Sequence, residues 1–187
     1  AKIKSRYFLR SALTLLLIFS KDSSGENHSL KFDDAIGVVL KHEGGYVNDK
    51  NDPGGETRYG ISKRAYPNLD IKNLTISQAT EIYKKDYWLK GKVDKVPPTL
   101  RLIYFDMVVN MGKKRAVKIL QTAINNKGVA TTIDGGIGPQ TLTNLRKAKL
   151  EPDRLRAYRV KYYGDLVNRK PSLERYYYGW YRRAIAT

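Results

Sequence analysis

Residues 100–111 read L-R-L-I-Y-F-D-M-V-V-N-M. Wound at 3.6 residues per turn, this stretch is apolar nearly all round, so it leaves no face for water and belongs in the middle of a domain. Pro98 suits its first turn and Gly112 stops it. Downstream, Ala116, Val117, Ile119, Leu120, Ala123 and Ile124 mark a fourth helix in chain order. A loop, T-I-D-G-G-I-G, then leads to Pro139 and a fifth helix carrying Leu142 and Leu145. Two basic, aromatic-rich helices start near Pro152 and Pro171. Upstream, Thr75-x-x-Gln78 is a capping box that opens the second helix, with Ile76, Ala79, Ile82 and Tyr83 inward. Asp33 can cap the first, in which Ile36, Val39 and Leu40 keep helical spacing, and Gly44-Gly45 ends it. R-Y-G-I-S, residues 58–62, fits a short strand or hairpin. The expected fold is mainly α: a helical bundle around a buried central helix, with one small β-hairpin after the first helix.

The chain has 187 residues, enough for one domain or one domain with an appendage. With no cysteine, disulfides and thiolate metal sites are ruled out. His28 and His42 flank different elements, so no metal or other cofactor is expected. The formal charge is +17 and unevenly spread. Residues 22–100 balance twelve basic against twelve acidic side chains, whereas residues 101–187 hold eighteen basic and six acidic ones. A face of that kind attracts polyanions: nucleic acid, anionic lipid, or the carboxylate- and phosphate-rich bacterial wall. The sequence shows no nucleic-acid reading motif, so nucleic acid is not the expected partner.

Residues 1–27 stand apart. K-I-K-S-R-Y-F-L-R is followed by a ten-residue apolar run, Ser11–Ser20. Ten residues of helix rise about 15 Å, half the thickness of a hydrocarbon core. The pattern fits a secretory signal or a weak, reversible membrane anchor, with an amphipathic helix packed on the domain as the alternative.

The candidate chemistry lies in residues 43–62, E-G-G-Y-V-N-D-K-N-D-P-G-G-E-T-R-Y-G-I-S. Hydrolysis of a glycosidic bond needs one protonated and one ionised carboxyl flanking the bond. Glu43 suits the first role, because a helix C-terminus disfavours a negative charge beside it. Asp52 suits the second, in a Gly/Pro loop whose backbone donors and water can stabilise a carboxylate. Thr57, five residues on, can hold a water or orient a carboxylate. Glu56 competes with Asp52 as the second carboxyl.

E-G-G-Y followed by D-P-G-G-x-T-x-Y-G-I-S resembles glycoside hydrolase family 108, the N-acetylmuramidases. The spacing from glutamate to aspartate to threonine also resembles the catalytic signature of phage-type lysozymes. Further on, Y-F-D-M-V-V-N-M-G, R-A-V-K-I-L-Q, D-G-G-I-G-P-Q-T-L and G-W-Y-R-R are similar to that family's C-terminal segment, a predicted peptidoglycan-binding region. The likeness spans roughly residues 30–185 and implies an α+β lysozyme-like fold with Glu43 as the catalytic acid. It divides the chain into a catalytic lobe, 28–112, and a basic peptidoglycan-binding-like region, 113–187, packed on the same fold. The expectation is an exported, monomeric muramidase. It would cut β-1,4 bonds between N-acetylmuramic acid and N-acetylglucosamine, in phage lysis or wall remodelling. A non-catalytic cationic wall- or membrane-binding protein on the same fold is the alternative.

Asp106 and Asn110, four apart on the central helix, either line the floor of a substrate cleft or tie helices together. Tyr46 and Tyr59, with Tyr87 and Trp88, have faces suited to sugar rings. Core packing comes first for Trp88 and for most of the aromatic run 176–181.

Overall fold

The computed structural model describes residues 30–48 and 55–187. Residues 1–27 and Asp52 lie outside the described residues. Among the described residues the helices are α1 (Phe32–Glu43), α2 (Ile76–Tyr83), α3 (Pro98–Met111), α4 (Lys113–Asn126), α5 (Pro139–Ala148), α6 (Pro152–Arg169) and α7 (Glu174–Ile185). No helix among them is long and apolar enough to cross a membrane. The strands β1 (Thr57–Arg58) and β2 (Ile61–Ser62) pair antiparallel, Thr57 opposite Ser62 and Arg58 opposite Ile61. The fold is mainly α and lysozyme-like, as the periodicity and the family likeness imply.

α3 is the axis. Leu100 and every residue from Ile103 to Met111 are buried, including Asp106 and Asn110. Around it pack α1, α4 and α6, and α7 closes over α6. Trp88 is core: it meets Phe32 edge-on at 5.5 Å and Phe105 at 5.1 Å. In the terminal aromatic run, Trp180 is buried against Tyr163, with ring centroids 5.2 Å apart. Tyr178 and Tyr181 are exposed, so that run is less inward than its composition implies.

One helix start and one side-chain placement differ in detail from the sequence expectation. α1 begins at Phe32, which places Asp33 inside the first turn, and the capping acceptor is Asp34, bonded by the Lys31 amide at 3.0 Å. One-residue shifts of this kind are common where two acids adjoin, since both are stabilised by the positive helix end. α2 carries its expected capping box: the Gln78 amide donates to the Thr75 hydroxyl at 3.2 Å, and the Thr75 amide donates back to Gln78 Oε1 at 2.9 Å. Ile76, however, points to solvent: Ala79 and Tyr83 are buried and Ile82 packs against the core, whereas Ile76, in the first turn, is exposed. Past Tyr83 the chain continues as a π-helical segment, Lys84–Leu89, which turns Trp88 inward.

The loop D-G-G-I-G, residues 134–138, is held chiefly by the buried Gln121, with buried Thr141 also donating to the Gly136 carbonyl at 3.0 Å. Gln121 donates to Asp134 Oδ1 at 2.9 Å and to the Gly136 carbonyl at 3.0 Å, and accepts from the Gly135 amide at 2.9 Å. That accounts for the glutamine that ends R-A-V-K-I-L-Q: it joins α4 to the loop before α5.

Candidate active site

Glu43 is the last residue of α1, and three separate parts of the chain converge on it. The first is the hairpin. Tyr59 and Gly60, which link β1 and β2, have φ of 48° and 77°, so they form the two-residue turn with positive φ at both central positions that matches strand twist. A Cβ on Gly60 would overlap Glu43 Oε2 and the Tyr83 hydroxyl, and would sit 2.9 Å from Glu43 Cβ. Only glycine meets both demands, the left-handed backbone and the close approach. β1 is tied back to the chain after α1 by reciprocal 2.8 Å bonds between Thr57 and Val47.

The second part is Tyr83, at the end of α2. It is fully buried, and its hydroxyl donates to the Tyr59 carbonyl at 2.7 Å. Burial, reinforced by the neighbouring Glu43, pushes its phenol well above the usual range, so it remains a neutral donor.

The third is α7. Arg183 Nη2 donates to Glu43 Oε1 at 2.8 Å and to Asp106 Oδ1 at 2.8 Å. Its Nε donates to Asp106 Oδ2 at 3.0 Å. Arg159, from α6, donates to Asp106 Oδ2 at 2.6 Å. Burial alone would raise the Asp106 carboxyl, yet Arg183 and Arg159 hold it well below the usual carboxylate range. Asp106 has no exposed surface, which favours the tie between helices over the floor of a cleft. It reaches Glu43 only through Arg183. Asn110 behaves alike: it is buried, and its Oδ1 accepts from the Tyr163 hydroxyl at 2.6 Å.

The Glu43 side chain is 6% exposed, with its guanidinium partner 13% exposed. One carboxyl oxygen is oriented by Arg183, and the other is turned toward Gly60 and Tyr83. The negative end of α1 is thus answered by a cation bound to a second, fully buried acid. His42, beside Glu43, titrates below its ordinary 6.5 because burial penalises the imidazolium; Arg183 and Arg159 add to this, and Asp106 and Glu43 oppose it.

The remaining sequence candidates lie around the hairpin. Thr57 is buried and donates to the Gly55 carbonyl at 3.3 Å. Glu56 accepts from the exposed Tyr46 hydroxyl at 2.9 Å. Tyr59 is half-buried, with the Arg58 guanidinium 5.4 Å from its ring centroid. These four residues therefore share the stretch that carries the hairpin, with Tyr46 and Glu56 bonded to each other. Arg183, Arg159, Tyr83 and Gly60 are the members of the site that sequence reasoning passed over.

Two comparisons bear directly on this arrangement. The family described as Glycosyl hydrolase 108 matches residues 36–112, and the one described as Predicted Peptidoglycan domain matches residues 115–185. A solved structure titled "Structure of Brucella abortus SagA" is 30% identical, covering 83% of this chain and 92% of that one, with a TM-score of 0.66. The chain belongs to the glycosyl hydrolase 108 family. No curated protein matches it. This family member is a glycoside hydrolase of peptidoglycan, with a peptidoglycan region following its hydrolase region in the order the sequence motifs indicate. The two matched regions meet in the ion pair between Glu43 and Arg183.

Proposed function

We propose that the chain is an N-acetylmuramidase, cleaving the β-1,4 bond between N-acetylmuramic acid and N-acetylglucosamine, with Glu43 as general acid. The observation that carries this reading is the position of Glu43. It is a nearly enclosed carboxyl at a helix end, held by a hairpin turn on one side and by Arg183 on the other. Such fixing lets proton delivery occur from one geometry, without a search among rotamers. Asp52 is the second carboxyl in this reading, ionised and acting across the scissile bond, and Thr57 orients it or its water. Tyr46, Glu56 and Tyr59 are the residues assigned to contact the sugar chain in this reading. Asp106 and Asn110 serve the site through Arg183 and Tyr163 rather than by touching substrate.

In this reading the basic region 113–187 holds the enzyme on the wall, the chain acts as a monomer after export to the periplasm or wall, and residues 1–27 supply any transient membrane contact. The test is Glu43→Gln, which keeps shape and removes the acid. Release of N-acetylmuramic reducing ends from purified peptidoglycan should fall by orders of magnitude, with the thermal melt little changed. Retention of more than about a tenth of the activity would remove Glu43 from the role. New ends at glucosamine instead would make the enzyme a glucosaminidase.

A further inference from the structure

α6 presents two different faces to its neighbours. Arg159 and Tyr163 turn toward α3, where they hold Asp106 and Asn110. Tyr158, Lys161, Tyr162 and Asp165, spaced about a turn apart, face α4 instead and help line a cleft of about 710 Å3. Glu43 is not part of its lining. From α4 come Lys113, Lys114, Arg115 and Lys118, so with Lys161 five cations surround the opening. The single acid in the lining, Asp165, is already bonded by Lys161 at 2.9 Å. The Arg115 guanidinium stacks 5.1 Å from the Tyr162 ring centroid and donates to its hydroxyl.

This charge arrangement works against folding in two ways and leaves three lysines without ion pairs among the described residues. Lys113, Lys114 and Arg115 fill the first turn of α4, where the helix end is itself positive and where no acid is present. Lys114 and Lys118 are a like-charged pair four apart, a spacing that repels. Lys113, Lys114 and Lys118 have no ion pair among the described residues. Local rules broken at a cost to stability are expected at functional or strained sites. An oxyanion in this cleft offsets both repulsions and pairs the lysines. The two tyrosines add apolar faces beside the cations, which a bare inorganic anion does not need but a peptide-bearing sugar uses.

We propose that the cleft between α4 and α6 is a docking site for the free carboxylates of peptidoglycan stem peptides, separate from the cleavage site at Glu43. The proposal rests on the reading of the chain as a peptidoglycan hydrolase. Within that reading it assigns the anchoring role to particular side chains rather than to the whole basic half.

The test measures pelleting with sacculi stripped of phosphate polymers, using the full chain carrying Glu43→Gln so that nothing is cut. Lys113→Gln, Lys114→Gln and Lys118→Gln together should weaken binding by about tenfold. Lys147→Gln, Arg169→Gln and Lys170→Gln, an equal charge change at exposed positions elsewhere, should weaken it by no more than about twofold. Sacculi whose carboxylates have been amidated should bind the parent as poorly as intact sacculi bind the cleft variant. The cleft variant should also melt no lower than its parent, because repulsive charges have been removed. Equal losses in the two triple variants, or full binding to amidated sacculi, would overturn the proposal. So would tighter cleft-dependent binding to poly(glycerol phosphate) or to a DNA duplex. Hydrolysis by the unmutated chain is assayed in parallel. Its absence would count against the cleavage reading alone, since the binding arms use a chain that does not cut.

Discussion

Replacing Arg183 with lysine keeps the charge but removes the fork. The guanidinium spans two carboxylates, giving Asp106 both Nε and Nη2 and Glu43 a 2.8 Å bond. An ammonium is a compact point charge that cannot serve both partners in that geometry. About two charge-assisted bonds are lost, at about 1.5 kcal/mol each, or about 3 kcal/mol in all. For a chain of this length that corresponds to a melting temperature lower by about 6–12 °C. Activity should suffer separately, because a displacement of Glu43 by about 1 Å costs about a hundredfold. Arg159→Lys is the control. Arg159 donates to the same aspartate at 2.6 Å but does not touch Glu43. It should lower the melting temperature comparably while leaving kcat on soluble glycan close to normal. Both variants are melted by circular dichroism and then assayed well below their transitions. If Arg183→Lys melts within about 3 °C of the parent, the fork does not tie the helices as argued; if the two variants lose kcat equally, Arg183 is only a structural tie and not a positioning residue for Glu43.

Gly60→Ala should cost about 2–3 kcal/mol, with strong loss of hydrolysis, because the added methyl meets the Glu43 carboxyl and the backbone has φ of 77°. Normal activity in that variant would mean the turn does not seat Glu43. His42 makes stability pH-dependent. Its folded pKa is depressed, so the unfolded chain takes up the proton first as pH falls past 6.5. The stability it contributes is full above that value and is lost as pH drops through the lower folded value. The urea midpoint should therefore fall between pH 7 and pH 5, less steeply in His42→Gln, and an identical slope in both would refute the assignment. Asp52→Asn should damage turnover more than Glu56→Gln at equal folded fraction, and the reverse order would move the second carboxyl to Glu56.

The helices were legible because their apolar spacing is local, and so was Glu43, since two glycines mark where its helix must end. The hairpin was legible as a short β element, but its bearing on Glu43 was not. That bearing comes from Tyr83 and Gly60, whose meeting is a matter of tertiary approach. Arg183 was missed for the same reason: 140 residues separate it from Glu43, and nothing in G-W-Y-R-R distinguishes it from the arginine before it. A usable signal did exist. An aspartate in the middle of an all-apolar helix must find a cation, and asking which arginine answers Asp106 points to the last two helices. The exposure of Ile76 escaped notice because helical spacing says which residues share a face, not how far along the helix that face stays covered.

The reach of Arg183 back to Glu43 also makes the site depend on whether α7 is docked. Parts of a fold can open locally while the rest stays folded, and α7 packs chiefly on α6. Until that last helix docks, Glu43 lacks its guanidinium and Asp106 has only Arg159. A chain in which α7 has come away would then hold Glu43 without the clamp. In the reading proposed above, cleavage of glycan waits on the docking of α7.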